Sequence, residues 1–350
     1  MSRELFDGQE INAICACYAL GAAIEQALVY KGTSSVYRLV CASPRRTRTY
    51  ALKVQECDTS LASAKRLEAE LLGALPPAFP RVPVLLRPRQ SGGPWQSRAW
   101  GLLWDDRAIS VYQWIDSMSY AGTLRQSRAA ARCFGELQNE LSQLSLQPGW
   151  TSKAAALDSL LDAPSAGFIP EFLASEQARS DVHEASGLPY EALRFLQEQR
   201  EISRTELAQN STYLQQADRA LLHAEFTPLN CGYGENGEVR IIFDFEAVRF
   251  GLVPLAGALA IATFSLIPSA GARENARRMA EVSSELRSVC PAASPAPALL
   301  LPLLRLAYLD AAWQRLDKRR ANPARGWGYL REDVENLRWL KENARLAAEQ

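Results

Sequence analysis

The strongest constraint on the fold is a change of apolar period along the chain. Through the first third, apolar residues alternate in short runs bounded by turn residues, and from Ser127 onward they recur every three to four positions. Residues 24–30, 36–41 and 49–55 read as strands of an antiparallel meander, preceded by a helix at 8–19. Asp58-Thr-Ser60 offers capping oxygens to a helix that runs to about residue 75, where Pro76-Pro77 stops it. After an unassigned segment at 82–87, strand character returns at 99–104 and 108–115. The pattern predicts an α+β fold: a five-stranded antiparallel sheet with one internal helix over 1–115, then a mainly helical part over 116–350. Helices are expected from 127, over 189–216, 253–266, 273–290, 298–320 and 329–348, and residues 146–188 read as loops and insertions. Within the helical part, 221–223, 231–233 and 239–245 revert to strand, with Glu235-Asn-Gly237 as a hairpin turn.

Composition removes several functional classes. Of 350 residues 47% are hydrophobic, which suits a globular chain with a sizeable core. The 39 Lys and Arg balance the 39 Asp and Glu, so no global field attracts nucleic acid or an anionic membrane, and any phosphate recognition is local. Trp95, Trp100, Trp104 and Trp114 lack an accompanying basic stripe and read as sheet core and hinge packing rather than a base-stacking platform. The seven cysteines are scattered without metal-ligand spacing and read as buried, reduced thiols. The first residues lack the basic-then-apolar order of a signal peptide, and a cytoplasmic location is expected. Residues 250–272 carry no charge and are long enough to span a bilayer, but Pro254, Pro268 and glycines 251, 257 and 271 point to a buried helix instead.

The chemistry concentrates between residues 223 and 246. Phosphoryl transfer from ATP needs gripped phosphates, a metal held by hard oxygen ligands, and an acceptor hydroxyl placed near a carboxylate. His223, Glu225 and Asn230 lie on a loop between two strand-like segments, and Asp244 follows the apolar run Val239, Ile241, Ile242, Phe243. A loop carboxylate, a loop amide and a second carboxylate can together serve one Mg²⁺-sized site.

His223-Ala-Glu-Phe-Thr-Pro-Leu-Asn230 with Asp244-Phe-Glu246 resembles the HGDxxxxN and D-[FW]-[EGD] motifs of the aminoglycoside phosphotransferase and homoserine or choline kinase superfamily, which has a protein-kinase-like two-lobe fold. Lys31-Gly-Thr-Ser-Ser-Val-Tyr-Arg38 is similar to its phosphate-covering loop, Ala51-Leu-Lys53-Val to its third-strand lysine motif, and Glu68-Ala-Glu-Leu-Leu to the helix that carries the lysine's partner. Val111-Tyr-Gln-Trp-Ile115 resembles the segment that leads to the hinge.

The resemblance implies a nucleotide-binding lobe over 1–115 and a helical lobe over 116–350 with a catalytic loop at 221–232 and a metal motif at 244–246. It implies ATP and Mg²⁺ as cofactors and a small-molecule hydroxyl, on a metabolite or an antibiotic, as acceptor. Gly32, Ser34, Ser35, Val36 and Lys53 would contact ATP, Glu68 would orient Lys53, and Gln113 and Trp114 would meet adenine. Asn230 and Asp244 would hold the metal, Glu225 would take the base position, and His223 would brace the loop. Glu246 is left open between metal or substrate contact and a structural hydrogen bond. Two positions depart from the family pattern: Glu225 stands where aspartate is usual, and Gly257 where an aspartate normally ties down the catalytic loop. Those departures keep a second expectation alive, a pseudokinase that binds nucleotide or a protein partner without catalysis.

Overall fold

The computed structural model describes residues 7–31, 34–44, 46–56, 59–77, 79, 81–91, 95–104, 106–145, 190–267, 270–321 and 328–348. The chain forms two compact units. Met1–Met118, Gly232–Gly234 and Arg240–Ala247 make the first, and Ser119–Cys231, Glu235–Val239 and Val248–Gln350 the second. Two short segments from the middle of the chain thus belong with the N-terminal unit.

In the first unit α1 (Gly8–Tyr18) leads into β1 (Ala22–Lys31), β2 (Ser35–Ser43) and β3 (Arg46–Glu56). Helix α2 (Thr59–Ala74) follows, then β4 (Leu85–Leu86), β5 (Gln96–Arg98), β6 (Gly101–Trp104) and β7 (Arg107–Gln113). The sheet has seven antiparallel strands in the order β1-β2-β3-β7-β6-β5, with β4 paired to β7, rather than the five expected. The two extra strands are two and three residues long, too short for a period of two to show. The expected strand at 99–104 is cut by the turn Ala99-Trp100, and β5 and β6 form a hairpin across it.

Alternation gives the sheet two chemically different faces. Leu39, Tyr50, Leu52, Leu102, Ile109 and Val111 cluster with Ile11, Ile14 and Tyr18 of α1 in one apolar core. Asp7 secures the start of α1 by a capping box, accepting from the amides of Gln9 (2.9 Å) and Glu10 (2.8 Å), while Glu10 accepts from the Asp7 amide at 3.1 Å. Lys53 and Gln55, one residue out of phase with Leu52 and Val54, take the other face; the β3–β7 register sets Lys53 opposite Ser110 and Ala51 opposite Tyr112. Trp95 and Trp100 are buried, and Trp95 meets Trp104 edge to face at 5.0 Å, consistent with sheet packing.

The second unit contains α3 (Leu124–Gln143), α4 (Tyr190–Gln209), α5 (Ser211–Gln216) and β8 (Arg219–His223). β9 (Cys231–Tyr233) and β10 (Val239–Ile242) then pair as a short hairpin whose inner residues belong to the first unit. β11 (Val248–Leu252), α6 (Val253–Ser265), α7 (Ala272–Val289), α8 (Pro297–Ala321) and α9 (Gly328–Ala348) complete the second unit. The single helix expected over 189–216 is broken at Asn210, whose side-chain amide donates to the Glu206 carbonyl at 2.7 Å and competes with the helical ladder. β11 was not anticipated: it pairs with β8, setting Val248 opposite His223 and Leu252 opposite Arg219.

Helix α6 is the uncharged segment, buried along almost its whole surface against α3, α7 and α8. Among the described residues no helix is long and apolar enough to cross a membrane. Gly257 lies in α6 where a Cβ would stand 1.7 Å from the Ala293 carbonyl oxygen, so only glycine lets the two backbones meet. The departure at this position therefore has a packing cause. Among the described residues Cys15, Cys17, Cys41, Cys133, Cys231 and Cys290 are buried and not joined in disulfides. The segment 146–188 and the side chains of Lys318, Arg319, Arg320 and Arg325 lie outside what is described.

Candidate active site

Asp244 is held in the first unit by the backbone on its N-terminal side. Met118 and Tyr233 exchange amide hydrogen bonds of 2.7 and 2.9 Å, and the Ile242 amide donates to the Arg81 carbonyl at 2.8 Å. The strand expected to reach residue 245 ends at Ile242, because Asp244 adopts a left-handed backbone, φ 68°, before the short 3-10 turn Phe245–Ala247. Left-handed backbone costs an L-residue roughly 1–2 kcal/mol, although Asp tolerates it better than most. It turns the carboxylate toward β3.

There Lys53 donates to Asp244 Oδ1 at 2.6 Å and to Glu246 Oε1 at 3.1 Å. Gln55 donates to the same Glu246 oxygen at 2.9 Å, and Lys65 of α2 pairs with the other oxygen at 2.5 Å. Lys65 also donates to Glu68 at 3.0 Å, and both Glu68 oxygens accept from the Tyr112 hydroxyl at 3.1 and 3.2 Å. The expected pair of Lys53 with Glu68 is thus replaced by a relay in which Lys65 and Glu246 stand between them. Lys65, Tyr112 and Gln55 were not singled out from the sequence. Lys65 lies three residues before Glu68 and so on the same helix face, the one local signal available.

Electrostatics favour the charged forms of Glu246, Lys53 and Lys65. Burial pushes the Glu246 carboxyl up, but Lys65 and Lys53 together with the hydrogen bonds from Lys65 and Gln55 outweigh it and hold the group well below the usual carboxylate range. For Lys53, burial and the Lys65 charge favour the neutral amine; Glu246 and Asp244 prevail and the pKa is raised. Lys65 is likewise raised, Glu68 and Glu246 overcoming burial. Burial and the Glu68 charge raise the Tyr112 phenol, which stays protonated and able to donate.

The 223–230 loop belongs to the second unit. β8 delivers His223 into a buried position, where its ring meets Phe226 edge to face at 6.0 Å. Phe226 in turn packs on Phe134 (5.1 Å) and Phe264 (5.6 Å), anchoring the loop centre in the helical core. The 3-10 turn Pro228–Asn230 follows, and Asn230 Nδ2 donates to the Glu225 carbonyl at 2.9 Å. That bond uses the amide nitrogen and leaves the amide oxygen, the atom a hard cation prefers. Glu225 itself is half-buried.

Ser34 is buried, and Ser35 and Val36 open β2 opposite Val54 and Lys53; Gly32 lies outside the described residues. The amides of Gln113 and Trp114 donate to the carbonyls of Val84 (3.0 Å) and Thr49 (3.2 Å), so these two donors are committed within the sheet. Trp114 Nε1 donates to Asp116 at 2.8 Å, and the Arg38 guanidinium lies 6.0 Å from its ring.

No family model and no curated protein matches the sequence. Solved structures do. An amicoumacin kinase in complex with AMP-PNP and Ca²⁺ aligns with a TM-score of 0.61 at 13% identity, over 95% of this chain and 93% of that one. An aminoglycoside phosphotransferase from Alicyclobacillus acidocaldarius subsp. acidocaldarius DSM 446 gives 0.57 at 14% identity, over 99% and 94%. A macrolide 2'-phosphotransferase from Brachybacterium faecium gives 0.51 at 10%, over 89% and 91%. At such identities the likeness is one of fold. The chain has the protein-kinase-like α+β fold of small-molecule phosphotransferases, which is the fold its motifs resemble.

Proposed function

We propose that this chain is an ATP- and Mg²⁺-dependent phosphotransferase that acts on a hydroxyl of a small molecule, a metabolite or an antibiotic. The observation that carries the proposal is Lys53 fixed between Asp244 and Glu246, with Asp244 presented by a left-handed backbone on a kinase-like fold. An unfavoured backbone conformation at a carboxylate is a device met at functional sites. The donor chemistry suits the cofactors: a fixed ammonium for phosphate oxygens, and the oxygens of Asp244 and Asn230 for a hard divalent ion. When bound, Mg²⁺ supplies neutralisation of the phosphate charge.

In this reading Lys53 grips nucleotide phosphates, Asp244 and Asn230 are the metal ligands, and Glu225 orients the acceptor hydroxyl. The loose transition state of phosphoryl transfer asks little of a base, which lessens the cost of glutamate at that position. His223 and Phe226 keep the loop in place. The test is ATP turnover with Mg²⁺ against a panel of amino alcohols, sugars and aminoglycosides, comparing the native protein with Asp244→Ala. An acceptor-dependent turnover lost in Asp244→Ala supports the proposal.

Glu225 favours a second reading, a pseudokinase that keeps the nucleotide site. ATP binding without any acceptor raising turnover above the Asp244→Ala level selects that reading. Gly257 favours the same reading, because the close approach to Ala293 accounts for the glycine but does not replace the absent aspartate.

A further inference from the structure

Lys65 is a buried cation in the middle of an amphipathic helix, its side chain only 1% exposed. Removing an ammonium from water costs several kcal/mol, so a position needed only for packing is better filled by leucine or methionine. Its three-residue neighbour Glu68 accounts for one ion pair. The second, to Glu246, crosses from α2 to the turn after Asp244.

The bonds of Glu246 are divided between its two oxygens. Oε1 accepts from Lys53 and Gln55 of β3, and Oε2 faces Lys65. Lys65 is held in turn by Glu68, which the Tyr112 hydroxyl bridges on both oxygens. A line of contacts therefore runs from Tyr112 and Glu68 through Lys65 and Glu246 to the Lys53 ammonium. Lys53 has a second partner, Asp244, but the proposed function commits Asp244 to metal. Glu246 is the carboxylate that remains to aim Lys53 when that happens.

We propose that Lys65 is a positioning residue of this site: through Glu246 it fixes the Lys53 ammonium, the part expected of Glu68 acting directly. A consequence is that Glu246, with both oxygens engaged by cations, stands outside the metal-ligand set. The inference rests on the proposed nucleotide site for its meaning, but not for its test.

The test compares Lys65→Met/Glu68→Gln, which keeps the local charge balanced, with Glu246→Gln and Lys65→Arg. The first readout needs no nucleotide: the rate at which Lys53 is acetylated by an amine-reactive ester, followed by peptide mass spectrometry. Compared as the pH-independent rate of the free amine, which removes the opposing effect of the lost Lys65 charge on the Lys53 ammonium, labelling is expected to rise at least about tenfold in Lys65→Met/Glu68→Gln and in Glu246→Gln. Lys65→Arg, which keeps the positive charge, is expected to restore most of the native protection.

The second readout is the Kd for ATP, with Mg²⁺ and with EDTA. Both disrupted variants are expected to weaken binding by a similar factor in either condition. Native labelling of Lys53 in a folded Lys65→Met/Glu68→Gln protein overturns the proposal. Should that variant fail to fold, native labelling in Glu246→Gln overturns it equally. A Glu246→Gln defect seen only with Mg²⁺ would return Glu246 to the metal ligands and also overturn it. If the native protein binds no ATP, the nucleotide reading fails while labelling still decides the role of Lys65.

Discussion

Asp244 combines an unfavoured backbone with a carboxylate that bonds Lys53, and the two can be separated by substitution. Asp244→Ala and Asp244→Gly both delete the carboxylate, but only alanine keeps a Cβ that left-handed backbone penalises. The glycine variant is expected to be more stable than the alanine variant by about 1 kcal/mol, read from denaturant unfolding midpoints at constant slope. Glu246 makes a different prediction, in pH. Its folded pKa is depressed, so its contribution to stability is present above the ordinary carboxylate pKa and is lost as pH falls toward the folded value. The raised Lys53 and Lys65 values act at the opposite end, where stability is lost only as pH rises through them. Between pH 7 and pH 3, Glu246→Gln should therefore lose less unfolding free energy than the native protein. Equal acid losses in the two proteins would remove Glu246 from the stabilising network. The same residues show where sequence reasoning stops. Lys53 could be picked out because it sits out of phase in an apolar strand with Asn230 and Asp244 in the expected order. Lys65 on a helix looks like any solvated lysine, since its burial depends on Glu246, far along the chain and joined to α2 only by the fold.

Helix α6 carries the element-scale test, because two glycines in helices of this chain face opposite surroundings. A Cβ on Gly73 of α2 would have nothing within 4 Å, whereas a Cβ on Gly257 of α6 meets the Ala293 carbonyl oxygen at 1.7 Å. Gly73→Ala should stabilise by up to about 1 kcal/mol through helix propensity alone. Gly257→Ala gains the same propensity but forces two backbones apart, and is expected to cost roughly 3 kcal/mol or more in urea unfolding. A neutral Gly257→Ala would reopen the question of why the aspartate is missing there. Long helices such as α6, α7, α8 and α9 were legible from the sequence to within a residue or two, α6 as an uncharged run and the others because apolar residues recur over several turns. The short strands were not: β4 and β5 take their partners from β7 and β6, and nothing local marks them. Asn210 was legible only as a residue type, since its bond to the Glu206 carbonyl turns a tolerated interior asparagine into a break.

Across the whole molecule the fold survives where sequence likeness does not: 13% identity accompanies a TM-score of 0.61 over 95% of the chain. The features of this chain that specify the fold are the change of apolar period, the phase of Lys53 on its strand, and the loop-to-hairpin order that leads to Asp244. These are physical requirements of the two units and tolerate wide substitution elsewhere, which is why fold and the first residues of the candidate site could be read while the wiring between them could not. A molecule with equal numbers of acidic and basic residues must also bind a polyanion by local charge rather than by a long-range field. Nucleotide binding should then appear as a ligand-linked gain in stability that depends on particular side chains. At a free concentration one hundred times Kd, ATP with Mg²⁺ is expected to stabilise the native protein by about 2.7 kcal/mol, measured as a shift in thermal midpoint. Lys53→Met should lose most of that gain with or without metal, because it removes the proposed phosphate contact. Asp244→Asn should lose only the part that Mg²⁺ adds over EDTA. An equal gain in all three proteins would mean that ATP binds somewhere other than the Lys53 and Asp244 cluster.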